Sequence, residues 1–271
     1  MAWFTPSSRF TPLVLAVALT LGLGVNVPAQ VKAQSTPPSL GRVLGSAFRA
    51  PRTDTPAPEN REPGAVRGDP CLVANAKFAA LVPYSGVGNR TAEYPTIYWY
   101  MPELRAEDAP SPAVEFVLKD ANKQEVYKAT YSLTKTADGI VGAPGLMSLT
   151  VANLYPLQVG QEYYWELAIQ CNSQGIDRSE DKSIAGAIKR VEADPTLAQR
   201  LQRATPQERV VIYAKAQLWY QALGTLAELR RDRPTDPVLA DAWTQLLDSV
   251  KLDTISREPL YPGVRNLTSN N

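Results

Sequence analysis

Few residues of this chain have types and spacings that could do chemistry. Cys71 and Cys171 are its two cysteines, and it has no His. Without an imidazole, Ser-His-Asp and Cys-His catalysis, His-ligated zinc or haem, and the commonest general base near neutral pH are all excluded. A reactive thiol at either Cys would lack a His to activate it. The stretch after Cys171 holds Asp177, Arg178, Ser179, Glu180 and Asp181. Three acids this close could hold Ca²⁺, but the ligand spacing of an EF-hand loop is missing, so an arginine–carboxylate pair at a solvated hairpin end is expected. Glu107 and Asp108 lie in a Pro-rich turn, where nothing sets them across a cleft at glycosidase separation. Tyr98, Trp99, Tyr100, Tyr163, Tyr164 and Trp165 could stack on sugar rings, although strand alternation sends most of them to a core. No catalytic constellation emerges, and no cofactor or metal is expected.

Lys and Arg number 28 against 27 Asp and Glu. That balance lacks the clustered positive field needed to neutralise phosphates, so nucleic acid is not an expected partner. The 271 residues allow one or two domains with real cores.

The elements that must position these residues begin after a targeting segment. Arg9 precedes an apolar run over residues 13–25, and Val31-Lys32-Ala33 before Gln34 reads as an A-x-A-like cleavage site, with Val27-Pro28-Ala29 as a second candidate. The run falls short of the roughly 20 residues a bilayer span requires. Residues 1–33 are therefore expected to be a signal peptide. Cleavage after Ala33 removes Arg9 and Lys32 but no acid, which leaves no positive field to hold the mature chain on anionic lipid. A periplasmic or secreted protein with no stable membrane anchor follows. Residues 34–70, with Pro37, Pro38, Pro51, Pro56, Pro58, Pro63 and Pro70, read as a disordered or extended linker.

From 71 to 191 short β-branched and aromatic runs alternate with turns, as in an all-β sandwich. The expected strands are Lys77–Val82, Thr96–Met101, Ala113–Lys119, Glu125–Leu133, Leu146–Val151, Glu162–Cys171 and Ser183–Val191, with a turn over Pro83–Asn89. Tyr163, Trp165, Leu167, Ile169 and Cys171 share one face of the sixth strand, so Tyr163 and Trp165 are structural core candidates. An exported chain with two cysteines beside strands points to a Cys71–Cys171 disulfide closing about 100 residues. Residues 192–260 change to helical grammar. Helix starts are expected at Asp194-Pro195, at the capping box Thr205-Pro206-Gln207-Glu208 and at Asp236-Pro237. The stretch 206–233 forms one long helix or a hairpin broken near Ala216-Gln217, and 261–271 a flexible tail. Leu218, Trp219 and Trp243 lie on apolar stripes and are the candidate partner-binding residues, with plain packing against the sandwich as the alternative.

Three resemblances add to this. Leu157, Gly160 and Tyr163 are spaced as in the tyrosine corner of immunoglobulin and fibronectin type III sandwiches, which makes Tyr163 fold-fixing. Tyr213, Ala222, Leu226, Leu229 and Pro234 resemble one tetratricopeptide repeat. Ala80-Leu81-Val82-Pro83, the run 95–102, Glu115–Asp120, Pro156–Gly160 with Tyr164-Trp165, Cys171, Asp177-Arg178-Ser179 and Leu218–Leu223 together resemble a family of exported cyanobacterial proteins, domain of unknown function 928, over about residues 67–260. The sequence departs from that pattern at Gln217, where Gly is usual, at Gln221, and at Ala187, where Trp is frequent. The resemblance implies compartment and architecture and supplies no activity.

The expected fold class is all-β plus α: an immunoglobulin/fibronectin-type-III-like β-sandwich followed by a small, tetratricopeptide-like C-terminal helical module. The expected function is a noncatalytic binding or scaffold protein of the periplasm or cell envelope, with a protein partner or a second copy of the chain as occupant. A carbohydrate-binding module is the second expectation, and an enzyme with an unrecognised site the third.

Overall fold

A computed structural model describes residues 39–49, 61–62, 71–73, 76–105, 108–133, 145–150, 155–179, 181–256 and 265–266. The expected signal peptide, most of the expected linker, the turn around Asp138-Gly139, Glu107, Glu180 and nearly all of the expected tail lie outside them. In chain order the elements are α1 (Leu40–Ala47), β1 (Ala79–Ala80), β2 (Val87–Arg90), β3 (Thr96–Met101), β4 (Ala113–Lys119), β5 (Glu125–Ser132), β6 (Gly145–Thr150), β7 (Glu162–Gln170) and β8 (Lys182–Arg190). They continue with α2 (Pro195–Arg203), α3 (Pro206–Lys215), α4 (Trp219–Asp232), α5 (Pro237–Ser249), α6 (Asp253–Ser256) and β9 (Arg265–Asn266).

The strands form two sheets, ordered β1-β3-β6-β9 and β2-β8-β7-β4-β5. Pairing is antiparallel except β2 with β8 and β6 with β9. Alternation along β7 explains the layering. Tyr163, Trp165, Leu167 and Ile169 are buried while Tyr164, Glu166 and Ala168 face partly outward, because successive strand side chains point to opposite faces. Gly160 takes φ +81° in the turn before β7, a left-handed conformation that favours glycine. Beyond that turn the Tyr163 hydroxyl accepts the Gln158 N–H at 3.1 Å. Cys71 and Cys171 are joined, with Cα atoms 5.8 Å apart.

Local chemistry starts the helices. Asp194, before Pro195, accepts the Thr196 N–H, and Asp236, before Pro237, accepts those of Val238 and Leu239, and Thr205 with Glu208 closes a reciprocal capping box. The 206–233 stretch is a hairpin, since α3 stops at Lys215 and Gln217 turns the chain with φ 58°. A left-handed conformation there is one that favours glycine. Gln217 adds something glycine could not, because its side-chain amide donates to the Ala47 carbonyl at 2.9 Å.

Two expectations are corrected here. The segment 83–89 is not only a turn, since Val87–Arg90 runs parallel to β8, with Gly88 opposite Ile188. The linker expectation fails over Leu40–Ala47, which is helical. Ser39 caps α1 by accepting the Arg42 N–H, and Leu44 is completely buried. Leu40, Leu44, Ala47 and Phe48 form one apolar stripe on the main core, and Phe48 meets Trp219 edge-on with ring centres 5.0 Å apart.

One core cluster joins both sheets with α1, α4 and α5, and Trp99, Trp165, Trp219 and Trp243 are all sealed within it. The described residues within Pro38–Asn271 accordingly form one compact unit. None of the described helices is long and apolar enough to cross a membrane.

Candidate functional site

The stripes expected to meet a partner meet the chain itself. Leu218 is 2% exposed, Trp219 and Trp243 1% each, which corrects their assignment as partner-binding residues. Trp219 Nε1 donates to the Leu81 carbonyl at 2.9 Å. Its neighbour Tyr220 donates its hydroxyl to the Ala187 carbonyl at 3.0 Å and accepts from Trp165 Nε1 at 3.2 Å. The core Trp of β7, the backbone of β8 and helix α4 are thereby tied by two buried hydrogen bonds, which in low dielectric fix orientation strongly. Burial pushes the Tyr220 phenol well above its ordinary range, although the Trp165 hydrogen bond opposes the shift. It stays a neutral donor at any physiological pH. Small residues let α4 come this close, Gly88 above all, where an added Cβ would lie 2.4 Å from the Tyr220 ring.

Asp177 and Asp181, the described acids after Cys171, are committed to side-chain and backbone partners. Arg178 pairs with Asp181 and, at 3.0 Å, with Glu115, which Lys128 also contacts at 3.0 Å. Burial would raise the Glu115 pKa, but the hydrogen bonds from Arg178 and Lys128 prevail and hold it below the ordinary glutamate range. Asp177 accepts the Ser179 N–H at 2.9 Å. Among the described residues no group of His, Cys, Asp or Glu could hold a metal ion.

The aromatics likewise form no exposed strip among the described residues. Trp99, Tyr100, Tyr163 and Trp165 are buried, while Tyr98 and Tyr164 are half-buried. Tyr98 lies under α4, where a Cβ on Gly224 would meet its hydroxyl at 2.3 Å, and Lys123 covers the Tyr164 ring.

An open concavity remains between α2 and α3. It encloses about 430 Å³ and is lined by Arg200, Arg203, Ala204, Glu208, Val211 and Ile212. Through Ile212 and Ala204 its floor meets a small apolar cluster of Leu197, Ile212 and Leu218, separate from the main core. A second recess of about 230 Å³ lies beside Phe48, Tyr84, Asn89, Gln217 and Trp219. Sequence reasoning missed the α2–α3 groove, although one signal for it was present. Over 195–217 four cations face one acid, a local excess hidden by the near-neutral total.

The family model described as Domain of Unknown Function (DUF928) matches residues 62–260. No curated protein matches the chain.

Proposed function

Since the chain belongs to the DUF928 family, whose description names no activity, we propose that it is an exported, noncatalytic binding or scaffold protein of the periplasm or cell envelope. The observation that carries this reading is the α2–α3 groove. The helices bury their apolar stripes against one another and, through α4, against the sandwich, yet leave one concave face open, the kind of surface through which helical hairpins bind partners. The Cys71–Cys171 bond supports residence in an oxidising compartment, and the sequence of the first 33 residues supports export.

Within this reading the sandwich is immunoglobulin/fibronectin-type-III-like. Two features support that kinship: the two-sheet strand order, with β2 running parallel beside β8, and the bond from Gln158 N–H to the Tyr163 hydroxyl, the geometry of a tyrosine corner.

The test has two arms. N-terminal sequencing of the protein from its native host should find a chain beginning near Gln34 in the envelope or periplasmic fraction. An intact Met1 on cytoplasmic protein would refute export. Affinity capture from envelope extracts on the mature, disulfide-bonded chain should retain a defined partner, and recovery of no partner under crosslinking would refute the binding role.

A further inference from the structure

Resting on the binding role just stated, we propose that the α2–α3 groove takes an acidic, amphipathic segment of a protein partner. Its carboxylates meet Arg200 and Arg203, and its apolar side chains cover Ala204, Val211 and Ile212.

Charge is the first ground. Helices α2 and α3 carry Arg200, Arg203, Arg209 and Lys215 against the single acid Glu208, in a chain whose totals are 28 and 27. Glu208 is already engaged, its carboxylate accepting the Thr205 N–H at 2.8 Å to close the capping box. Asp194, just before α2, is held low in pKa mainly by Thr196 and only lastly by Arg200. Its two oxygens accept the Thr196 N–H and hydroxyl, both at 2.8 Å. Arg200 and Arg203 therefore close no ion pair among the described residues. Arg209 is turned elsewhere and donates to the Leu201 carbonyl at 3.2 Å.

The second ground is the pairing of those cations with an apolar floor. Ala204 and Val211 are half-buried, and Ile212 sits at the margin of its small cluster at 9% exposure. A segment that is only acidic would leave this floor wet, and one that is only apolar would strand two guanidiniums. An amphipathic acidic segment satisfies both, and the forked donors of Arg suit carboxylates. The recess is concave and of side-chain size at about 430 Å³. A lipid surface fits less well, because lipid-binding segments gather about four to eight cations and this groove is lined by two.

The experiment uses the full mature chain and two fluorescein-labelled synthetic peptides read by anisotropy. One peptide sets Leu at helical spacing with Glu on either side of the stripe, and the other has Lys for every Glu. The Glu peptide should bind, with affinity falling as salt rises, and the Lys peptide should not. R200E/R203E should weaken the Glu peptide at least about tenfold and shift preference toward the Lys peptide. Because acids at the end of α2 oppose its dipole, R200Q/R203Q serves as a gentler companion and should weaken the Glu peptide without gaining the Lys peptide. The assignment is overturned if the wild-type chain binds neither peptide or both alike, or if the variants keep full affinity. It is also overturned if R200E/R203E instead abolishes sedimentation with phosphatidylglycerol vesicles or splits a dimer of the chain, which would make lipid or a second copy the occupant. Capture of the same envelope partner by wild type and R200E/R203E would remove this groove as the contact while the binding role stands. Capture by neither would remove the role itself.

Discussion

Gly88 is the position where helix α4 comes closest to the sheet, and Gly88→Ala tests whether the helices and the sandwich are one structure. The added Cβ would lie 2.4 Å from Tyr220 Cε2, 2.9 Å from Cδ2 and 3.1 Å from Trp219 Cδ1. Ordinary carbon contacts are about 3.5–4.0 Å, so the Tyr220 ring must retreat by about 1 Å or β2 must leave β8. The ring cannot retreat freely, because its hydroxyl is held by the Ala187 carbonyl at 3.0 Å and Trp165 Nε1 at 3.2 Å. Overpacking of this kind costs about 1–3 kcal/mol, and each buried hydrogen bond that is stretched adds about 1 kcal/mol. We expect a loss of about 3 kcal/mol, read as a lower urea midpoint at unchanged slope in Trp fluorescence with the disulfide intact. In a Tyr220→Leu background only the 3.1 Å approach to Trp219 Cδ1 remains, and the same change should cost less than about 1 kcal/mol. Gly160→Ala is the control. Nothing lies within 4 Å of its added Cβ, so only the strain of φ +81° remains, about 1 kcal/mol. A Gly88→Ala loss below about 0.5 kcal/mol, or strict additivity with Tyr220→Leu, would refute the reasoning.

Deleting 205–271 should leave an aggregating sandwich, seen in size-exclusion chromatography, because it uncovers the surface sealed by Trp219 and Tyr220; a soluble monomer with native near-UV dichroism would contradict this. Replacing both Cys71 and Cys171 with Ser opens a sequence separation of 100 residues and should cost about 4–5 kcal/mol in urea unfolding, while a nonreducing digest of the wild type should yield the two peptides linked. Glu115→Gln should cost about 1 kcal/mol at neutral pH, kept small because Arg178 and Lys128 are 44% and 45% exposed and screened. Since the Glu115 pKa is depressed in the folded state, this contribution is present above the ordinary glutamate pKa of about 4.3 and is lost as pH falls through the folded value. The two proteins should converge in stability once the pH lies well below the ordinary glutamate range, and an undiminished gap there would count against the ion cluster.

What could be read from the sequence was what neighbouring residues decide. The alternation in β7, the full extent of β4 and the caps at Asp194, Thr205 and Asp236 all depend on a few adjacent side chains. What escaped depends on distant ones. Gly86 and Gly88 spell a turn, and only pairing with β8, about 100 residues on, makes Val87–Arg90 a strand. Helix α1 is eight residues long, too short to persist alone in water, and it exists because Leu44 has the main core to enter. The stripes at Trp219 and Trp243 were evident as apolar, but a stripe does not say what covers it. For the same reason the groove was missed, since Arg200 and Arg203 become neighbours of Val211 only when α2 lies on α3.

Helix α1 also bears on the order of events when the chain is made. Residues near its two ends meet in the folded state. Arg61 Nη1 donates to the Val250 carbonyl 189 residues away, Thr254 Oγ1 bonds Glu62 across 192, and Gln217 bonds Ala47 across 170. A chain that emerges N-terminus first, from a ribosome or a membrane pore, exposes the apolar side of α1 long before α5 exists to receive it. High contact order of this kind slows folding. The last helices act as a latch: until they arrive, α1 and the edge of the sandwich stay uncovered, and a chain stalled short of residue 250 would be a natural substrate for chaperones or proteases.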